Sequence, residues 1–513
     1  MKRGWRKITW GLLVVALALV FVTGPAWAGK KNDTLNIAFT KELETLDRYF
    51  NTAREGIVFA RHVFDNLLWR DPKTFEYKPL LAKSYRWIND TTLEIVLRKG
   101  VKFHDGTEMT ADDVVYTLNF AANPANKVKT QRYSNWIKKV VKEGPYKVRI
   151  LLKAPFPAAL EFLSGANPIY PKHYYEKVGP KKFGLKPIGT GPYKVAEVEP
   201  GKRIVLVRND NYFEGSPKGK PHIRKIVWRT LPEMNTQVAE LITSGLDWIW
   251  MVPPDQAKKL ATMPNIKVIA AETMRIGYLT MDAAGRTIQH GIKDPFKKLK
   301  VRQAVNYAVN REAIAKNLVG GQSKPVYSAC YPSQFGCTQD VMKYEYNPAK
   351  AKKLLAEAGY PSGFTTTLYG YRNRDFAAAI VGDLAAVGIS AKLVMMKYSA
   401  LREKLRAGKV PFAFLTWGSY SINDVSAITS NFFEFQADDL ARDPVVRDLL
   451  LKGDTSIDPK VRKAAYKKAL QRIAEQAYWA PLFTYVSNNC FNKDLNFTPY
   501  PDAVPRFYQA KWK

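Results

Sequence analysis

The chain has little of what metal-dependent enzymes and disulfide-rich proteins depend on. Its 513 residues include 3 cysteines and 5 histidines. Three cysteines cannot be the main support of a chain this long, so a disulfide scaffold is excluded. No histidine pair has the helical spacing around a glutamate that a zinc protease needs, and no cysteine pair has the two-residue gap of a structural zinc site. The sequence therefore predicts neither a metal nor a cofactor.

Acidic residues are also scarce. The chain has 46 Asp and Glu residues against 79 Lys and Arg, which gives a formal net charge of +33. The bases do not form blocks of six, but are scattered as pairs such as Lys138-Lys139 and Lys352-Lys353. This spacing is typical of a solvated surface and predicts no nucleic-acid partner. A polyanion-binding surface protein is the alternative, and its affinity would collapse with added salt.

Long apolar runs are missing after the first 28 residues, so no transmembrane helix is expected there. The first 28 residues have a cationic start at Lys2 and Arg3, an apolar run over residues 8–22, and the small-x-small pattern of Ala26-Trp27-Ala28. These three zones predict a secretory signal peptide, residues 1–28, that is cut after Ala28. An uncleaved N-terminal anchor is the alternative. The mature protein is expected in the periplasm.

Helix and strand signals alternate along the mature chain. Asn347, Pro348 and Gly359 are suited to the cap, the first turn and the end of one helix. Gly388 lies between a helical run and the alternating pattern of residues 389–395, so a helix, a glycine stop and a strand follow one another. Such alternation predicts the α/β class, with helices that cover a sheet.

Two cysteines lie close together in a segment rich in turn residues. Cys330 and Cys337 are separated by Tyr331, Pro332 and Gly336 among others, a spacing that brings two sulfurs within bonding range. In an oxidising compartment we predict a disulfide worth about 2 kcal/mol, with two free thiols as the alternative. Cys490 is left over and is expected to be buried.

Five segments, in the same order along the chain, resemble the family 5 extracellular solute-binding proteins that serve ABC importers. The first is the long segment from VFDNLLWRDP to VVYTLNF. The matching segments are residues 63–120, 188–195 (IGTGPYKV), 209–213 (NDNYF), 301–311 (VRQAVNYAVNR) and 347–359 (NPAKAKKLLAEAG).

The resemblance implies a two-lobed periplasmic-binding-protein fold of the α/β class, with the ligand cleft between the lobes. Lobe one would hold residues 29–273 and 488–513, with an inserted subdomain at about 62–185. Lobe two would hold residues 274–487. The chain would cross twice between lobes, near residues 272–276 and 484–489, where a hinge absorbs changes in backbone angles.

The resemblance also implies ligand contacts in lobe two. Arg372 falls where peptide-binding relatives use an arginine for the ligand carboxylate, a role that suits the forked guanidinium. A solvated surface arginine is the alternative. Trp417, Ser419 and Tyr420 resemble the segment that lines the cleft, although relatives place an acid there to receive the ligand amine. Asp424 either substitutes for that acid or caps the following turn.

Two further aromatic residues lie near the first expected crossing. Trp250 and Tyr278 are candidates to stack on the ligand, and packing in the core is the alternative for both. Trp248 is expected in the core.

These features predict the substrate-binding component of an ABC transporter. It would be a monomer that captures a short peptide or another carboxylate-bearing solute and delivers it to a permease at the inner membrane by lobe closure. A non-peptide ligand is the alternative: an opine, glutathione, an oligosaccharide or a nickel chelate. We predict no catalytic residues and no enzyme activity, because the histidines and serines do not assemble into the triad of an exported hydrolase.

Overall fold

The computed structural model describes residues 29–513. The predicted signal peptide lies outside the described residues. Within residues 29–513, no helix is both long enough and apolar enough to cross a membrane.

A ten-stranded sheet runs through both halves of the molecule. Its strands, in spatial order, are β14 (Ile389–Met395), β13 (Phe364–Gly370), β15 (Phe412–Trp417), β12 (Ile266–Met281), β16 (Trp479–Asn492), β11 (Trp248–Trp250), β1 (Thr34–Phe39), β10 (Lys225–Thr230), β9 (Arg203–Arg208) and β8 (Tyr193–Glu199). Helices cover the sheet, as the alternation of patterns predicts.

The two longest strands connect the halves. Strands β12 and β16 have 16 and 14 residues and pair in antiparallel fashion from Ile266↔Asn492 to Thr280↔Trp479. The register shifts between Glu272 and Ile276. We call the side with β1 and β8 to β11, together with the C-terminal tail, lobe one, and the side with β13 to β15 lobe two. The predicted boundaries at residues 273 and 487 stay a prediction, and the register shift lies beside the first.

Lobe one carries a second sheet with its own core. Four antiparallel strands take the order β4 (Ala82–Asn89), β5 (Thr92–Leu97), β7 (Lys147–Leu152) and β6 (Ile137–Gly144). Buried and half-buried residues alternate along β7, so Val148, Ile150 and Leu152 point to one face and form part of a separate apolar core. The hairpin of β2 (Leu68–Arg70) and β3 (Tyr77–Pro79) lies beside this sheet. We call this part the inserted subdomain.

The helices of lobe one are α1 (Arg54–Val63), α2 (Ala111–Ala122), α3 (Ala159–Gly165), α4 (Lys172–Phe183), α5 (Met234–Ile242) and α6 (Pro254–Leu260). Those of lobe two are α7 (Leu299–Ala308), α8 (Arg311–Ala313), α9 (Pro348–Glu357), α10 (Arg374–Ala385), α11 (Tyr398–Arg406), α12 (Ser426–Phe432), α13 (Pro444–Thr455) and α14 (Pro459–Glu475). The tail of lobe one ends in the strand pair β17 (Leu495–Asn496) and β18 (Lys511–Trp512).

Local sequence signals explain where several helices begin and end. The Asn347 side chain accepts a hydrogen bond from the Lys350 amide, Pro348 is the first residue of α9, and Gly359 has a φ of +86°. These three features confirm the predicted α9. Gly388 has a φ of +95° at the start of β14, again as the sequence predicts.

Candidate functional site

An arginine lies on β12 where the chain enters lobe two. Arg275 falls within the register shift of β12, is half-buried, and donates one hydrogen bond from Nη1 to Thr416 Oγ1 at 2.8 Å. The Tyr371 hydroxyl lies 2.7 Å from the same Thr416 oxygen. A Cβ atom on Gly418 would lie 2.9 Å from Arg275 Nη2, so only glycine gives the guanidinium this space. Arg275 is thus extended along the end of β15.

Arg372 lies beside this group, in the loop after β13. Its side chain is exposed, and its Cζ atom lies 5.9 Å from the ring centre of Tyr371 and 5.7 Å from that of Tyr485. Two aromatic faces within this range stabilise a guanidinium. Burial first, and then the positive charge of Arg372, lower the pKa of Arg275 below its ordinary value. The two cations therefore act on each other across the end of the sheet.

A third arginine reaches the same region from lobe one. Arg54 begins α1 and donates from Nη1 to Ser421 Oγ at 2.9 Å and to the carbonyl oxygens of Asp502 and Ala503 at 3.1 and 3.2 Å. Burial, followed by the positive charge of Arg275, lowers the pKa of Arg54 to about 10. We call Arg54, Arg275 and Arg372 the cleft arginines.

Residues 419–424 form the loop by which lobe two contacts lobe one. Ser421 Oγ donates to the Asp502 carbonyl at 2.6 Å, and the Asn423 amide donates to Glu161 Oε1 at 2.9 Å. Ile422 packs on Tyr133 and Ala166 of lobe one. Of this 419–424 segment, the resemblance assigned Ser419, Tyr420 and Asp424 to the ligand. Ser419 is 1% exposed, and the Tyr420 side chain lies outside what the structure describes.

Asp424 at the end of this segment has both carboxylate oxygens engaged. Oδ1 accepts hydrogen bonds from the amide and the hydroxyl of Ser426 at 3.1 and 2.7 Å, and Oδ2 accepts from Arg462 Nη2 at 2.8 Å. The buried Asp424 carboxylate therefore caps the turn at Ser426 and forms an ion pair with Arg462. The contacts favour the turn-capping alternative over the reception of a ligand amine.

The Cys330–Cys337 disulfide closes a loop that contacts the 419–424 segment. Cys330 and Cys337 are bonded, with their Cα atoms 5.7 Å apart. Between them, the Gln334 side chain donates to the carbonyl oxygens of Ile422 and Asp424 at 3.0 and 3.3 Å. The closed loop therefore holds the backbone of the 419–424 segment. Cys490 is buried and free, as expected.

Tyr278 and Trp417 lie together, but mainly in the core of lobe two. Tyr278 is 1% exposed and stacks on Trp479 with ring centres 3.6 Å apart. Trp417 donates from Nε1 to the Ala427 carbonyl at 2.9 Å and packs edge-on against Phe432. Both line a cavity of about 20 Å³, which has room for a water molecule and not for a solute.

Trp250 lies apart from these residues, in lobe one. It is 3% exposed and packs edge-on against Phe39 at 5.3 Å. The cavity beside it has a volume of about 10 Å³. For Trp250 and Tyr278 the structure favours core packing over stacking on a ligand, because both rings are almost fully buried against other aromatic rings. Trp248 lies in the core of lobe one, as expected.

A larger groove of about 840 Å³ separates the inserted subdomain from lobe two. Phe75, Tyr77 and Trp87 line it on one side, and Phe335 and Lys463 on the other. Asp424 is the one predicted ligand residue on its wall, and its oxygens are already engaged. The groove thus borders the 419–424 segment at Asn423 and Asp424, and none of the cleft arginines lines it.

Comparison with known proteins places this geometry in a family. The sequence model for bacterial extracellular solute-binding proteins, family 5 (Middle), matches residues 76–439. The chain belongs to this family.

Relatives of this family 5 protein match along almost the whole chain. The glutathione-binding protein GsiB of Salmonella choleraesuis is 30% identical over 521 residues, which covers 98% of each chain. The periplasmic binding protein DppA of Helicobacter pylori, solved with the peptide STSA, is 25% identical with a TM-score of 0.77 and covers 93% of this chain and 98% of its own. The substrate-binding protein CtaP of Listeria monocytogenes has a TM-score of 0.83 at 24% identity and covers 93% and 99%. The two-lobed fold is thereby confirmed.

Sequence reasoning about this family 5 protein missed two of the three cleft arginines. Arg275 had a signal, because it is a charged residue in the mostly apolar second half of β12. Arg54 had none, since an arginine in the first turn of an amphipathic helix is ordinary. Thr416 and Tyr485, which contact or face these arginines, were also missed.

Proposed function

We propose that this protein is the substrate-binding component of an ABC importer and that it captures a carboxylate-bearing solute, such as a short peptide, between its lobes. The solute would be handed unchanged to a permease at the inner membrane. The observation that carries the proposal is the group of cleft arginines, which come from both lobes. Within residues 29–513, none of their side chains lies within 4 Å of a carboxylate.

Arg372 is the proposed first anchor for the ligand carboxylate. It is exposed beside Tyr371 and Tyr485, and it makes no ion pair in the described part of the chain. A guanidinium in this position has all its donors free for two parallel hydrogen bonds to a carboxylate. The relatives GsiB, a glutathione-binding protein, and DppA, which was solved with a peptide, support this ligand class.

The proposed location follows from the same role. We infer that residues 1–28 are a signal peptide cut after Ala28 and that the mature chain works in the periplasm. Edman sequencing of the protein purified from the periplasmic fraction should begin at Gly29. A chain that begins at Met1 or Lys2 and stays with the membrane would instead support the uncleaved anchor.

The test is a binding panel on the purified protein. Thermal-shift and calorimetric titrations would use dipeptides, glutathione, an opine, a nickel–histidine chelate and raffinose. A ligand at a hundred times its Kd stabilises the folded state by about 2.7 kcal/mol, so a true ligand shifts the melting temperature visibly. We expect saturable binding of at least one carboxylate solute, and no binding of raffinose.

Arg372→Gln should weaken that binding about tenfold or more, because a charge-assisted bidentate contact is lost. Arg447→Gln is the matched control, since Arg447 lies in lobe two on α13 and binds Asp448 at 2.7 Å. Absence of binding by every carboxylate, or equal affinity in both variants, would overturn the proposal. Binding only to heparin or DNA, lost with added salt, would favour the polyanion-binding alternative.

A further inference from the structure

We propose that Arg275 and Arg54 form a second anion subsite next to Arg372, so that the ligand carries two acidic groups. This inference rests on the proposed function and narrows its ligand class to dicarboxylates. An acidic dipeptide and glutathione, each with two carboxylates, belong to this class.

Arg275 has donors that no group of the described chain uses. A guanidinium has five N–H donors. Arg275 makes one hydrogen bond in the described part of the chain, to Thr416 Oγ1. Arg311, which is buried in the same lobe, makes four, to Pro481, Asn306 (twice) and Tyr344. Arg311 is thus satisfied by its own lobe, whereas most of the Arg275 donors are left for a partner from outside.

Gly418 leaves room for the guanidinium of Arg275. At Gly418, a Cβ atom would meet Nη2, Cζ and Nε of Arg275 at 2.9, 3.1 and 3.4 Å. The backbone of Gly418 has φ −113° and ψ 18°, which other residues also adopt, so the turn itself does not require glycine. What glycine supplies at position 418 is space along one face of the guanidinium.

The positive charges of the cleft arginines act on one another. Arg275 and Arg372 lie in lobe two and Arg54 in lobe one, and the positive charge of each neighbour adds to the burial that lowers the pKa of Arg275 and Arg54. The other groups that act on Arg275 are the tyrosines Tyr371, Tyr485 and Tyr398, and no carboxylate is among them. On Arg54, burial and Arg275 lower the pKa, and the more weakly acting charges of Asp502 and Glu55 oppose them. The neighbouring cations Arg275 and Arg372 repel each other, and a bound anion removes that cost.

The position of Arg54 gives the second acidic group a role in closure. Arg54 is anchored to Ser421 of lobe two and to the carbonyl oxygens of Asp502 and Ala503 in lobe one. An anion that binds Arg54 and Arg275 together therefore contacts both lobes at once. A dicarboxylate would favour the associated lobes more than a monocarboxylate of the same size. Only the dicarboxylate has a second acidic group, which contacts Arg54 and Arg275.

The test compares matched ligands by calorimetry. Ala-Glu and Ala-Gln have nearly the same shape and differ by one carboxylate, and glutathione and its glycine monoethyl ester form a second pair. We expect the dicarboxylate of each pair to bind the wild-type protein about tenfold or more tightly than its partner. Arg275→Gln and Arg54→Gln should erase that preference, so that each variant binds Ala-Glu and Ala-Gln with affinities within about twofold of each other.

Two further variants provide a second test of the subsite and a control for the loss of an arginine elsewhere. Gly418→Ala keeps every charge but displaces the Arg275 guanidinium, so it should also reduce the preference, even if Arg275→Gln fails to fold. Arg208→Gln is the control and should keep the full preference, because Arg208 is a half-buried arginine of β9 that binds Asp210.

The outcomes separate this inference from the proposed function. If Ala-Glu and Ala-Gln bind equally to the wild-type protein, or if the preference survives in the Arg275, Arg54 and Gly418 variants, the second subsite is wrong while the receptor role stands. If no carboxylate binds at all, the receptor role for such solutes fails as well.

Discussion

The guanidinium of Arg70 in lobe one donates a hydrogen bond of 3.0 Å to the carbonyl oxygen of Ser421 in lobe two. Arg70 also binds the carboxylates of Glu161 and Asp502, and all three side chains are almost fully buried. Buried ion pairs hold their geometry tightly, because separating them leaves a charge without a partner. The 419–424 segment is therefore bound to a rigid charged cluster of lobe one.

Ser421→Ala should loosen this contact between the lobes. The change removes the hydrogen bonds of Ser421 Oγ to Asp502 and Arg54, each worth about 0.5–1.5 kcal/mol. We expect a larger radius of gyration for the unliganded protein in X-ray scattering, and ligand affinity several-fold lower, because closure then costs more. Ser430→Ala is the control, since that hydroxyl binds the Ser426 carbonyl within its own helix. Identical scattering profiles for the two variants would contradict the prediction.

Asp424→Asn should reduce stability without a specific effect on ligand amines. The variant leaves the Arg462 cation, which is 7% exposed, without its carboxylate, at a cost of about 3–5 kcal/mol. Urea unfolding measures the loss. Asp448→Asn breaks an exposed ion pair and should cost less than about 1 kcal/mol. If Asp424→Asn instead weakened free-amine peptides much more than their N-acetylated forms, the amine-binding alternative would be correct.

Removing the disulfide should lower the free energy of unfolding by about 2 kcal/mol. The Cys330→Ser, Cys337→Ser double variant also frees Gln334, which holds the 419–424 segment. A reducing agent should lower the urea midpoint of the wild-type protein to that of the variant and leave the variant unchanged. Cys490 should resist thiol reagents in the folded state, because burial raises its pKa to about 12. A reducing agent that shifts both proteins equally would count against this assignment.

His104 should make the protein less stable in mild acid. Its Nε2 lies 3.0 Å from the Gly191 carbonyl and its Nδ1 accepts from the Gly189 amide, and burial lowers its pKa to about 4. Below about pH 6.5 this histidine takes up a proton in the unfolded chain but stays neutral in the folded protein until the pH approaches 4. The contribution of neutral His104 to stability is therefore complete above pH 6.5 and declines as the pH falls toward 4.

The measurement is the unfolding free energy of the wild type minus that of His104→Gln. Between pH 7.5 and 5 this difference should shrink by about 2 kcal/mol. His222→Gln, a variant of an exposed histidine in lobe one, is the control and should follow the wild-type pH profile. A difference that stays constant over this range would show that His104 keeps its ordinary protonation in the fold.

Local signals predicted the elements whose causes are local. The caps of α9, the glycine before β14 and the turn-rich spacing of Cys330 and Cys337 act within a few residues, and the structure has each of them. The aromatic residues show the limit of such signals. Trp250 and Tyr278 have the same chemistry as a ligand-binding wall, and only their packing against Phe39 and Trp479 places them in the core.

By itself the sequence determined the α/β class, the capped helices, the disulfide spacing and the family, because these depend on neighbours along the chain or on segments matched in order. Only the tertiary structure decided that Arg54 lies close enough to Arg275 for their charges to interact, and that the Asp424 carboxylate binds Arg462. Electrostatic partners are chosen by distance through space. Those distances depend on the register of β12 and on the contacts of the 419–424 segment with lobe one. No local sequence pattern predicts either of them.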